Sequence, residues 1–163
     1  VSRSAEDRVQ ADLQLIKDNV AGVQGSLVAT NDGFLVAHDL PGVEPTAVAA
    51  LAAATRSLSS RTTQSTGRGQ FREAISRGGN GYVVVYAAGR DTLLAVVGAT
   101  DLNIGMLHYQ TREIAERIGT YAAEFATRPV PVPAPPPVRP GMDRGGLPTG
   151  RPAPLPVRRK VIG

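Results

Sequence analysis

Apolar and polar positions repeat along this chain with two periods, and the changes of period mark its elements. Val9, Leu13, Ile16 and Val20 recur at spacings of four, three and four, which draws one apolar stripe on a helix. That helix is predicted over residues 4–21, because Ser4-Ala5-Glu6-Asp7 can cap its start and Gly22 follows its end. The stretch "SLVATNDGFLVA", residues 26–37, then sets two apolar runs around Asn31-Asp32-Gly33. It predicts a hairpin with strands near 25–30 and 34–38, since Gly33 can take the positive φ of a tight turn. Pro41-Gly42 and Pro45 lead into a second helix over about 46–65, where Pro45 suits the first helical position. This helix is small-sided: six alanines, Ala47, Ala49, Ala50, Ala52, Ala53 and Ala54, surround Val48, Leu51 and Leu58. With so little bulk it buries little alone and needs a close neighbour on more than one side. Its last turns become polar and fray into Gly67-Arg68-Gly69.

Three further strands are predicted. Residues 70–77 alternate, with Phe71, Glu73, Ile75 and Arg77 opposing Gln70, Arg72, Ala74 and Ser76, the pattern of a half-exposed strand at a sheet edge. Turns at Gly78-Gly79-Asn80-Gly81 and Gly89-Arg90-Asp91 separate it from residues 82–88 and 92–99, two runs that are almost wholly apolar. Such runs need cover on both faces, and tight turns make the neighbours antiparallel. A third helix over about 103–126 carries Ile104, Leu107, Thr111, Ile114, Ile118, Ala122 and Phe125 on one stripe. The expected class is α+β: a three-layer, five-stranded antiparallel sheet with helices on both faces, in the order α-β-β-α-β-β-β-α.

Composition changes the picture at the end of this pattern. Residues 128–163 hold 11 of the 13 prolines and few bulky side chains, so they are expected to form a disordered, polyproline-rich tail beyond a domain of residues 1–127. Charge divides at the same place. Residues 1–127 carry 11 Lys+Arg against 13 Asp+Glu, while residues 128–163 carry 7 against 1. The body therefore lacks the basic face and aromatic platform of a nucleic-acid surface. The absence of cysteine excludes disulfides, thiolate zinc sites and cysteine nucleophiles. Nothing resembles a signal peptide, and no run of about 18 apolar residues could span a bilayer, so the expectation is a cytoplasmic protein with no integral membrane segment.

Candidate chemistry is sparse. There is no G-x-x-x-x-G-K-[ST] phosphate loop, and the Gly78–Gly81 cluster reads as a turn between strands. His38 and His108 stand alone, without the carboxylate partners a metal site needs. Ser57, Ser59 and Ser60 lack a G-x-S-x-G setting. No cofactor, metal or catalytic residue is expected, and the residue chemistry points to a binding module instead of an enzyme.

The amphipathic first helix leading through "VAGVQGSLVATNDGFLVA", the alanine-rich second helix, and "GYVVVYAAGRDTLLAVVGATDLNIGMLHYQTREIAERIG" together resemble the Roadblock family, named for a dynein light chain and widespread in bacteria. The resemblance covers about residues 5–125. It implies a profilin-like sheet, with the first and last helices on one face and the second on the other. It also implies a homodimer made by pairing the second helices and joining the third strands edge to edge. Leu51, Thr55 and Leu58, with Phe71 and Ile75 nearby, are the expected dimer interface. In bacterial relatives the dimer binds a small Ras-like GTPase and changes its nucleotide state, by hydrolysis or exchange. Actinobacterial relatives are associated with a sensor kinase as well. Should hydrolysis be accelerated by an arginine finger, which is worth about 10³–10⁵ in rate, Arg56, Arg61 and Arg68 are the available GTPase-facing candidates. The resemblance favours instead a reshaping of the GTPase's own switch residues.

Two other classes fit the element order. A PAS- or profilin-like ligand-sensing module would need a pocket with convergent polar groups, and an architectural scaffold would need only a dimer presenting its tails. The tail's P-x-x-P spacings and its closing Arg158-Arg159-Lys160 have no role to inherit from the family and read as parts of a solvated spacer.

Overall fold

The computed structural model describes residues 4–126, and the tail expected over 128–163 lies outside the described residues. Helix α1 spans Ala5–Asn19. Its capping box is formed as the sequence suggests: the Ser4 hydroxyl accepts from the Asp7 N–H at 3.2 Å, and the Asp7 carboxylate accepts from the Ser4 N–H at 3.3 Å. Strands β1 (Val23–Thr30) and β2 (Leu35–Asp39) follow, then helix α2 (Pro45–Ser65). Strands β3 (Glu73–Gly78), β4 (Gly81–Ala88) and β5 (Thr92–Gly98) lead to helix α3 (Ile104–Ala126). The five strands form one antiparallel sheet in the order β2-β1-β5-β4-β3. The β1–β5 pairing brings the first hairpin against the last strand and leaves β2 and β3 at the edges.

The sheet separates two cores. On one face, α1 and α3 pack Val9, Leu13, Ile16, Leu107 and Ile118 against Val28, Val84, Leu94 and Val96. On the other, α2 rests on Leu27, Ala29, Val85, Leu93 and Ala95. The near-continuous apolar runs of β4 and β5 are thus covered from both sides. The three buried residues of α2 are all alanine, Ala49, Ala52 and Ala53, so the helix sits low on the sheet. Between α1 and α3, the buried Asp12 carboxylate accepts from the Arg117 guanidinium at 2.6 and 3.4 Å. Arg117 also donates to Glu113 at 3.1 Å.

Two strand starts differ from the sequence-based reading. β2 begins at Leu35 and not at residue 34, while Gly33 takes the expected positive φ, 87°, and donates to the Thr30 carbonyl; among the described residues no non-glycine residue takes a positive φ. Asn31 is committed elsewhere, since its side-chain amide donates to the Arg90 carbonyl at 2.8 Å and its N–H to that of Asp91 at 3.0 Å. The third strand starts at Glu73 and not at residue 70. Ladder pairing with β4 begins at Glu73–Tyr86, although the Arg72 carbonyl still accepts from the Ala87 N–H at 2.8 Å. Phe71 therefore precedes the strand, and is buried within its own protomer.

Candidate functional site

Helix α2 owes its length to its caps. Glu44 serves as N-cap, its carboxylate accepting from the N–H groups of Ala47 at 2.6 Å and Thr46 at 3.2 Å. Those two backbone donors hold the Glu44 carboxyl below the usual carboxylate range. The face of α2 turned away from the sheet is apolar at its centre, where Leu51 is 68% and Leu58 70% exposed. Exposed positions recur at Glu44, Ala47, Leu51, Ala54, Leu58, Arg61 and Ser65, spacings of three and four that match a coiled-coil seam. Thr55 flanks this stripe, half-buried, its hydroxyl donating to the Leu51 carbonyl at 2.9 Å.

The other expected interface residues fall apart by register. Ile75 pairs with Val84, and residues directly opposite in an antiparallel ladder share a face. Val84 belongs to the core under α1 and α3, so Ile75 lies on the sheet face opposite α2. It is 48% exposed there, on an edge strand whose outer side pairs with no strand of the described protomer. Leu51, Thr55 and Leu58 form one surface, Ile75 marks a second at the neighbouring edge, and Phe71 is withdrawn into the protomer.

The three arginines also differ. Arg56 turns back onto the β4–β5 turn, where its guanidinium approaches the carbonyls of Arg90 and Gly89 at 3.4 and 3.5 Å. Its Nη1 is buried without a hydrogen-bond partner. Burial holds this guanidinium below its usual pKa, against the pull of nearby Asp91. Arg56 thus braces a turn, whereas Arg61 and Arg68 are exposed.

Sequence reasoning did not anticipate a groove of about 910 Å³ between α3 and the β3–β4 edge, lined by Phe71, Glu73, Tyr86, His108, Tyr109 and Arg112 among others. It exists because α3 covers β4 and β5 but stops short of the edge strand. Within it the Tyr86 hydroxyl and His108 Nδ1 lie 2.9 Å apart. Burial raises the Tyr86 pKa, and the Glu73 carboxylate facing it across the ladder adds to the effect. Only the isolated histidine at position 108 gave any sign of this groove in the sequence, since its walls come from three separate segments.

Comparison with known proteins agrees with this architecture. An uncharacterized protein of Methanocaldococcus jannaschii, MJ1340, is 30% identical over 113 residues, spanning 69% of this chain and 95% of that protein. Among solved structures, the gliding protein MglB of Thermus thermophilus superposes with a TM-score of 0.67 at 20% identity, covering 76% of this chain and 95% of that one. A Roadblock/LC7 domain of Streptomyces avermitilis gives 0.64 at 20% identity, covering 69% and 96%. These two likenesses establish the fold. No helix of the described residues is long and apolar enough to cross a membrane. The Roadblock/LC7 domain model matches residues 9–98, more than half of the chain, and the protein belongs to the Roadblock/LC7 family.

Proposed function

We propose that this protein is a non-enzymatic homodimeric regulator, or adaptor, that binds a small Ras-like GTPase and modulates its nucleotide state in bacterial signalling. The observation that carries the reading is the exposed leucine stripe of α2 beside the unpaired edge of β3. A monomer has no use for two leucines about 70% exposed on a helix that buries only alanine. A second copy covers both features at once, in an interface of roughly 800 Å² per partner. Membership of the Roadblock/LC7 family supports a GTPase as the partner. Any sensor kinase would act upstream of the pair, and recruitment to a membrane would run through these partners. The domain of residues 1–127 carries the activity and the segment 128–163 serves as a spacer.

On this reading Arg56 is not a finger, because its guanidinium is already placed against the β4–β5 turn. The test is co-purification with Ras-like GTPases from the same genome, loaded with GDP or a non-hydrolysable GTP analogue, with turnover measured in the same preparation. Preferential binding of the GTP form, at two copies of this chain per GTPase, is expected. Failure to bind in either state would return the protein to the scaffold or ligand-sensing class. The groove beside α3 favours the latter, and ligand-induced stabilisation would single it out.

A further inference from the structure

Two features have no part in the GTPase reading: the groove beside α3 and the proline run of residues 129–140. The groove is aromatic, with Phe71, Tyr86, His108 and Tyr109 along it, the last 78% exposed. It also carries more acid than base, since Glu73, Glu113 and Glu116 outnumber Arg72 and Arg112. Glu73 and Glu116 form no ion pair among the described residues. Tyr86, held protonated by burial, needs an acceptor for its proton, and His108 Nδ1 is bonded to it at 2.9 Å. A neutral imidazole that accepts at Nδ1 carries its own proton on Nε2, which gives the groove wall a donor. The main-chain groups of the floor are engaged in the β3–β4 ladder, so an occupant meets side chains there and few free backbone partners.

We propose that the groove receives the proline-rich segment 129–140 of a second copy of this chain, laid along α3 as a polyproline helix with a flanking arginine against the carboxylates. Seven of the twelve residues in that run are proline, and Arg128 and Arg139 stand at its ends. Proline has no N–H to satisfy, and polyproline helices dock by setting their rings on aromatic side chains. The groove thus meets the needs of such a segment without requiring main-chain bonds, and His108 Nε2–H can donate to one of its carbonyls. Lengths agree: His108 to Glu116 is about 12 Å along α3, which about four residues of polyproline helix span. Charge favours the same pairing, since residues 1–127 carry 11 Lys+Arg against 13 Asp+Glu and residues 128–163 carry 7 against 1. The occupant comes from a second copy because Arg128 precedes Pro129, and a residue before proline is held extended. Return to the same chain's groove would need a reversal at that point. Residues 129–140 thereby gain a role within the spacer, one that goes beyond the dimer reading and does not depend on it.

The chain has no cysteine, so disulfide cross-linking tests the exchange in the full-length protein. Arg112→Cys places a thiol on the groove wall, and Ala134→Cys places one in the middle of the proline run. Under mild oxidation this double variant should form disulfides between chains. The rate should be at least about tenfold that of Asp18→Cys with Ala134→Cys, whose first thiol is exposed on α1. An excess of a synthetic peptide of residues 128–140 should suppress the reaction, and so should Tyr109→Ala. Replacing Pro131, Pro133, Pro135, Pro136 and Pro137 together by alanine should return the rate to that of the control. A rate no higher than the Asp18→Cys control refutes docking in the groove. Disulfides closed within single chains, seen as a faster-migrating product of one chain's mass, refute the second copy as the source. Undiminished cross-linking by the alanine-substituted run refutes recognition of a polyproline helix.

Discussion

Replacing glycine by alanine in the middle of a helix ordinarily stabilises a protein by about 1 kcal/mol. Gly119, in the middle of α3, should do the opposite. A Cβ built on it would lie 2.8 Å from Gly89 Cα, 2.9 Å from Gly89 N and 3.2 Å from the carbonyl carbon of Ala88. All three are backbone atoms, and the turn that holds them is fixed from other directions. Gly89 takes φ 75°, Asn31 binds the Arg90 and Asp91 carbonyls, and Arg56 leans on Gly89 and Arg90 from the α2 side. Neither wall can retreat, so α3 must lift from the sheet. Overpacking of this kind costs about 1–3 kcal/mol, which cancels the helix-propensity gain and leaves Gly119→Ala up to about 2 kcal/mol less stable than wild type. Gly105→Ala in the first turn of the same helix is the control, because its Cβ would meet only the Asn103 side-chain oxygen at 3.4 Å. Denaturant titration of the two variants and wild type decides the matter. An unchanged or raised midpoint for Gly119→Ala would show that α3 adjusts freely, and the close approach would lose its claim to fix the helix.

Other perturbations test the remaining assignments. Arg117→Ala strips the Asp12 carboxylate, 5% exposed, of its guanidinium partner; a loss of about 1–3 kcal/mol in chemical denaturation is expected, reduced from the fully buried case because Arg117 keeps some solvent contact. The folded-state pKa of Glu44 is depressed, so its capping contribution is present above its unfolded value, about 4.3, and fades as pH falls through the lower folded one. Glu44→Gln should therefore flatten the acid side of the stability profile measured by thermal melts from pH 7 to 3. Leu51→Glu with Leu58→Glu should convert the proposed dimer to monomer in sedimentation while leaving the far-UV spectrum unchanged, since neither side chain contributes to the protomer core; an intact dimer would move the interface away from α2. Tyr86→Phe should cost about 1 kcal/mol by removing the hydrogen-bond partner of His108, and a neutral result would mean that water replaces it.

What the sequence made legible follows from how local each determinant is. The stripe Val9, Leu13, Ile16 and Val20 is fully buried because helical periodicity alone decides which face of α1 meets the sheet. The capping box at Ser4 and Asp7 is likewise a matter of three residues. Phe71 was misplaced because its alternation with Glu73 and Ile75 continues past the point where ladder pairing stops. The sheet face of Ile75 was not legible because a strand's facing depends on its register with β4, which no local pattern encodes. The contact of Arg56 with the β4–β5 turn was not legible because the carbonyls it approaches are more than thirty residues away in sequence. The spacing of Glu44, Leu51, Leu58 and Arg61 was present in the chain throughout, but it acquires meaning only once α2 is known to turn its alanines inward.

That inward-facing alanine surface has a thermodynamic consequence. A helix tied to its own sheet through the methyl groups of Ala49, Ala52 and Ala53 gains little from docking there, and most of a helix's stability comes from the face it buries. In the proposed dimer four leucines would fill the seam, and the larger share of the stabilisation of α2 would be intermolecular. The thermal midpoint of the protein should therefore climb with the logarithm of its concentration, as mass action requires. Dilution would first loosen the α2 layer while the core under α1 and α3 stays closed. On that reading the amount of the protein becomes a control on whether its paired surface exists at all.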